Sequence, residues 1–326
     1  MADLFEGIAK NRFIIVGRAG IDFFTDPDVS IEHMERANVD LGGSSANIGA
    51  GICKFGGNAS LVTCVSDDSI GSYCINRLQH YGVETDYIRK VGGEYRNSLA
   101  VYESVLEGHR NVIYRNHAAD FQMGVGDVEA VDYARFGALI TAGTVFAAEP
   151  SRAATFRAFD LAKAAGLPII FDVDYRPYSW VSSEDASKTL TRAAMASDMV
   201  VGNDEEFGFM AGDYAHGLDK AREVSQTSAA VVIYKMGAEG AITFHGGEEI
   251  RTGIYPVEAV KPVGAGDAFM AGLMSGLAEG MALKKAVLRG SACASITVMT
   301  PGCAPAMPDQ ERLDAFLLAH PGPTQT

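Results

Sequence analysis

The sequence predicts an α/β protein built on a mainly parallel, doubly wound central sheet, and three observations carry that prediction. Short, β-rich apolar runs alternate with helix-like blocks along the chain. Most of those runs end in Gly, Asp or Asn, and polar residues gather where they end. Ligands of such sheets bind beyond the carboxyl ends of the strands, which puts Asp22, Asp172, Asp174, Arg176, Asn203 and Glu206 where a site belongs.

In chain order the strand-like runs are "RFIIVGRAG" (12–20), "NASLVTCV" (58–65), "FGALITAG" (136–143), "LPIIFDVD" (167–174), "SDMVVGN" (197–203) and "AAVVIYKMG" (229–237). Each is short, rich in β-branched residues and closed by turn formers. The stretches 45–56, 68–81, 151–165 and 183–196 read as helices between them. Two segments break the alternation. Residues 31–43 and "RNSLAVYESVLEGHRNVIYRN" (96–116) have the patterning of hairpin strands with no helix between them. Strands drawn from about 23–43 and 95–118 are expected to form one small β-sheet covering the end of the large one as a lid. No repeat, linker or boundary divides the chain, so residues 1–326 read as a single domain, with only the tail "HPGPTQT" frayed.

With 48% apolar and 21% charged residues and no run of 18 apolar ones, the chain has the composition of a soluble globular protein with no membrane partner. A net charge of −14 argues against nucleic acid, whose phosphates demand clustered Lys and Arg. The opening "MADLFEGIAKNR" carries Asp3 and Glu6 before any apolar block, unlike a signal peptide, so the expected compartment is cytoplasmic. The five cysteines form no CxxC pair and read as reduced thiols. No HExxH occurs among the seven histidines, so any metal should arrive with a substrate.

Three stretches carry chemistry. In "KPVGAGDAFMAG" (261–272), Gly264 and Gly266 let backbone amides approach an anion, and a helix over roughly 267–279 aims its positive dipole end at the same point. Asp267 stands at the helix start, free to cap it or to face a ligand. A Gly-rich turn before a helix is by itself often only a tight connection. Neither GxGxxG nor GxxxxGK[ST] fits, which disfavours a dinucleotide oxidoreductase and a P-loop protein. An anion cradle beside a base suits phosphoryl transfer to a hydroxyl. In "DLGGSSANIGAGICKFGG" (40–57), Gly42 and Gly43 are expected under a sugar-sized ligand with Asn47 on its hydroxyls; the plainer reading is a close-packed helix start. In "FDVDYRPYSW" (171–180), the charges of Asp172, Asp174 and Arg176 directly after an apolar strand need pairing or solvent. A structural ion pair would serve, and so would an arginine holding a carboxylate.

Taken in order, these stretches resemble the ribokinase-like (PfkB) carbohydrate kinases over nearly the whole chain. The resemblance implies a three-layer sandwich with a lid, ATP and Mg2+ as cofactors, and Asp267 as catalytic base with Gly264, Ala265 and Gly266 as anion hole. "GRAGID" (17–22) implies that Asp22 grips sugar hydroxyls. "NDEE" (203–206) resembles the family's NxxE, giving Asn203 and Glu206 a part in ordering magnesium and phosphates. "KMGAEG" looks like the nucleotide-side turn, bringing Lys235, Gly237 and Gly240 into that site, and "TPGCAPAMP" (300–308) looks like the loop on the adenine side. "DYRPYSW" is further similar to the branch that phosphorylates the keto sugar acid 5-dehydro-2-deoxy-D-gluconate in inositol breakdown. Its carboxylate would need a cation, Arg176 first and Arg115 second. The same chemistry would serve 2-keto-3-deoxygluconate or a fructose-type sugar, and a non-catalytic sensor could use the same fold.

One departure stands out. Most members read DTxGAGD, and their Asp helps hold a monovalent cation; this chain has Lys261, Pro262 and Val263 there. Lys261 is expected to supply the missing positive charge, a solvated lysine being the alternative. The alternating lid segments also invite pairing into a homodimer.

Overall fold

The protein is described here by a computed structural model covering residues 3–104, 110–261, 263–320 and 322–324. Its strands are, in chain order, β1 (Arg12–Val16), β2 (Gly20–Thr25), β3 (Ala37–Gly42), β4 (Asn58–Ser66), β5 (Ile88–Val91), β6 (Leu99–Tyr102), β7 (Asn111–Tyr114), β8 (Ala138–Ala142), β9 (Ile169–Asp172), β10 (Met199–Asn203), β11 (Val231–Lys235), β12 (Ala241–His245) and β13 (Glu248–Thr252). Nine of them form one sheet in the order β13-β12-β11-β10-β9-β8-β1-β4-β5. It is parallel from β11 to β5 and ends in an antiparallel hairpin, β12–β13.

The central strands are apolar on both faces because helices cover both. Along β1, Phe13 and Ile15 enter one core and Ile14 and Val16 the other, all fully buried. At about 1.5–3 kcal/mol per large apolar side chain, such two-sided burial fixes the register of the sheet more firmly than any single polar contact.

The lid exists, with altered membership. Its order is β3-β2-β6-β7, with β2 and β6 parallel and the outer pairs antiparallel. The run expected as one strand over 12–20 divides after Val16. Gly17 lies so close to the helix Ser44–Lys54 that a Cβ there would come within 1.9 Å of Ser45 Oγ, and the chain leaves the large sheet and re-forms in the lid at Gly20. Asp22 is therefore a lid residue. Residues 31–33 form a short 3-10 turn, so β3 begins only at Ala37. The expected 96–116 hairpin is β6–β7, and its connection at 105–109 lies outside the described residues.

Lid alternation separates two faces. Asp22, Tyr102, Asn111 and Ile113 point into a cavity against the large sheet, while Phe23, Val39, Val101 and Val112 form the row on the other side. The tail is not frayed where it is described: Thr324 N–H donates to Ile254 O at 2.7 Å, and Ile254 N–H to Thr324 Oγ1 at 3.0 Å.

Candidate active site

A cavity of about 1100 Å³ opens beyond the carboxyl ends of β9, β10 and β11 and runs under the inner face of the lid. Arg18, Asp22, Tyr102 and Tyr178 line one end, and Gly237, Gly240, Thr252 and Tyr255 the other. Gly264, Ala265, Gly266 and Asp267 lie on its wall as well.

Gly264 takes φ 85°, a left-handed conformation open to glycine, and the helix Ala265–Ala278 starts immediately behind it. The first amides of that helix have no partner within it and form a site for anionic oxygens. Asp267, in the first turn, is half-buried and held from both sides: Ser44 Oγ–H donates to its Oδ1 at 2.5 Å, and Asn47 Nδ2–H to its Oδ2 at 2.9 Å. Burial, reinforced by the charge of Asp174, pushes this carboxyl up to about 6 against the opposing effect of those two hydrogen bonds. The Asn47 amide thus orients the carboxylate with its N–H, while its Oδ1 has no partner among the described residues and the residue lines the cavity. Ser44 was not anticipated. Its signal was its spacing, since residues three apart on a helix share a face.

The two glycines before that helix serve close approach. A Cβ on Gly42 would stand 2.1 Å from Asp22 Oδ1, and one on Gly43, at φ 99°, would stand 2.5 Å from Arg18 O. Gly42 therefore makes room for Asp22 and does not line the cavity, whereas Gly43 does. Asp22 is buried with Oδ1 unpartnered among the described residues. Burial lifts its carboxyl to about 7; Arg18 works against this, and Asp267 and Asp40 add to it.

After β9, Asp174 takes the left-handed φ of 35° and accepts from Arg176 at 2.8 Å and from Thr144 Oγ1 at 3.4 Å. Arg176 keeps half its side chain open to the cavity. The second expected cation is displaced. Arg115 is buried outside the main cavity, pairs with Asp120 at 2.5 Å, donates to Thr144 O at 2.9 Å and stacks on Phe121, so its charge is consumed internally.

Toward the other end, Asn203 and Glu206 form a capping box on the helix Asp204–Ala211: Asn203 Oδ1 accepts from Glu206 N–H and Glu206 Oε2 from Asn203 N–H, both at 2.8 Å. Burial raises the carboxyls of both Glu206 and Asp172, with Lys235 opposing the shift in each. Lys235 also lies beside the anion turn, 3.6 Å from where a Cβ on Gly266 would stand. Gly240 takes φ 90° against Thr252 O and closes the turn into β12.

Lys261 is buried, which rules out the solvated alternative. Its Nζ donates to Val263 O at 2.5 Å. Burial lowers its basicity, and Cys303, Asp267, Asp40 and Asp22 counteract this. The loop 300–308, expected on the adenine side, packs instead against the anion turn and the lid. Cys303 Sγ lies 3.2 Å from a Cβ built on Gly264, and Asp40 Oδ2 lies 2.4 Å from one on Gly302.

The chain is similar to known proteins over nearly its whole length. The curated 5-dehydro-2-deoxygluconokinase of Photobacterium profundum is 35% identical over 310 residues, covering 93% of this chain and 94% of the relative. That of Geobacillus kaustophilus is 32% identical over 314 residues, covering 94% of each. Among solved structures, the ATP-bound fructokinase of Xylella fastidiosa superposes with a TM-score of 0.84 at 20% identity, covering 95% of this chain and 99% of that one, which shows a shared ribokinase-like fold. The pfkB family carbohydrate kinase model matches residues 10–310, taking in the lid, the 264–266 turn and Asp267 together, so the chain belongs to the pfkB family of carbohydrate kinases and is an enzyme that phosphorylates a sugar.

Proposed function

We propose that this enzyme transfers the γ-phosphoryl group of ATP to the primary hydroxyl of a sugar acid, converting 5-dehydro-2-deoxy-D-gluconate to its 6-phosphate. One observation carries the reading: a half-buried carboxylate, Asp267, is held by Ser44 and Asn47 at the start of a helix whose first residues line the same cavity. Asp267 accepts the hydroxyl proton as that oxygen bonds to the γ-phosphorus and the bond to the leaving nucleoside diphosphate breaks. The amides of Gly264, Ala265 and Gly266 hold the transferring oxygens, and Lys235 adds positive charge beside them. Asp22 takes sugar hydroxyls, and the turn from Gly237 to Gly240 borders the nucleoside. A poised base together with Asn203 and Glu206 favours catalysis over a mere sensor.

The residues suit a magnesium ion that arrives with the nucleotide. Among the described residues no cluster of three or more ligating side chains exists. Asp172 and Glu206 are nonetheless buried carboxylates whose mutual repulsion a divalent cation would relieve, and magnesium needs few protein ligands when phosphates and water supply the rest. Bound there, it would neutralise charge on the phosphates. Residues 1–326 act as one kinase unit in this reading. The outer lid row, where Val39 and Val112 are exposed beside Tyr114, supports a homodimer through the lid.

The substrate rests on the two relatives and on the cationic sugar end. A coupled assay of nucleotide consumption across sugar acids and neutral ketoses tests it, with 5-dehydro-2-deoxy-D-gluconate expected to give the highest kcat/KM. Preference for 2-keto-3-deoxygluconate or for fructose would replace this substrate while leaving the kinase intact.

Lys261 supports a second expectation. With its ammonium already seated on Val263 O among Asp22, Asp40 and Asp267, the rate should stay flat when potassium is exchanged for a bulky organic cation. A strong potassium requirement would sink the idea that this side chain supplies the charge.

A further inference from the structure

Three arginines stand at or near the sugar end of the cavity, and two of them already hold a carboxylate. Arg115 is paired with Asp120 and Arg176 with Asp174. Arg18 differs. It lines the cavity with 8% of its surface exposed, and its one side-chain hydrogen bond among the described residues runs from Nη1 to Ser98 Oγ at 2.9 Å. Its Nε is buried without a partner, and its Nη2 makes no hydrogen bond to any described residue. A buried guanidinium with donors unspent and no carboxylate in contact is placed to take up an anion entering the cavity.

Arg18 cannot easily withdraw. Its carbonyl accepts from Ala46 N–H at 3.2 Å, and Gly43 packs directly on that carbonyl. Burial works against its charge, but Asp22 first, then Asp120, Tyr102 and Asp174, more than offset it, so the guanidinium stays charged. The two cavity arginines are held on different elements. Arg176 follows β9 and pairs with Asp174, whereas Arg18 follows β1 and reaches Ser98, next to the lid strand β6. A six-carbon acid with its primary hydroxyl at Asp267 extends its carboxylate away from that residue.

We propose that Arg18 recognises the carboxylate of the substrate and thereby selects sugar acids over neutral sugars. The proposal rests on the sugar-acid reading given above and deepens it. Arg176, which the sequence favoured for this task, already pairs with Asp174. Side-on or end-on, a guanidinium meets a carboxylate with paired donors, and an ammonium at the same place cannot.

The test compares Arg18→Met, which fills similar volume without charge, with Arg18→Lys. The readout is the ratio of kcat/KM for 5-dehydro-2-deoxy-D-gluconate to that for fructose, with ADP binding by calorimetry as the check on folding. The ratio is expected to fall about 10²-fold in Arg18→Met and by about tenfold in Arg18→Lys. If the methionine variant fails to bind ADP, the lysine variant alone decides. A wild type that prefers the acid, with the preference intact in the folded variants, overturns this inference and leaves the substrate reading standing. A wild type indifferent to the carboxylate overturns both.

Discussion

Asp267→Asn is expected to lower turnover by on the order of 10²–10⁴ while sugar and nucleotide still bind, because the amide keeps the shape, accepting from Asn47 and donating to the Ser44 hydroxyl oxygen, but cannot take a proton. Steady-state kinetics with calorimetric binding separates the two effects. The pH profile adds a sign. A base works when deprotonated, so with its carboxyl near 6 the rate should rise through about pH 6 and level off above it. The residual activity of the Asn variant should lose that limb. Near-normal turnover in Asp267→Asn would remove the base assignment, and an unchanged limb would assign the titration elsewhere, with Asp22, near 7, first in line.

The second large effect is expected from Gly42→Ala. The added methyl would stand 2.1 Å from Asp22 Oδ1, closer than any real contact, so the carboxylate must leave its place or the lid must shift. The expected result is a rise of about 10²-fold in the KM for the sugar, with the KM for ATP little changed. Asp22→Asn, which keeps the shape and removes the charge, should move the sugar KM in the same direction. Both mutants with a normal sugar KM would take Asp22 out of the sugar site.

Much of this architecture was legible because it rests on burial. The parallel strands stood out as apolar runs closed by Gly, Asp or Asn, and their polar ends do converge on one cavity. What the sequence hid was mostly a matter of where side chains spend their hydrogen bonds. Arg115 is a residue type that suits a ligand, yet it neutralises Asp120, and Asn47 spends its N–H on Asp267; nothing in their local sequence reveals these uses. Gly42 looked like floor for a ligand because a glycine shows only that something comes close, not what. The break after Val16 escaped notice because "RFIIVGRAGIDFF" is strand-like throughout, and only the packing of Gly17 on Ser45 divides it. The hairpin β12–β13 was missed, although its signal is local: Gly246 and Gly247, both at positive φ, form a two-residue turn between its strands.

The central claim is that one cavity transfers a phosphoryl group to the far hydroxyl of a sugar acid with Asp267 as base. Phosphorus NMR of the product formed from ATP and 5-dehydro-2-deoxy-D-gluconate tests it most directly. A phosphomonoester signal coupled to the C6 protons, appearing with wild type and suppressed in Asp267→Asn, is the predicted result. Free inorganic phosphate alone, or a monoester formed equally fast without the carboxylate of Asp267, would contradict it.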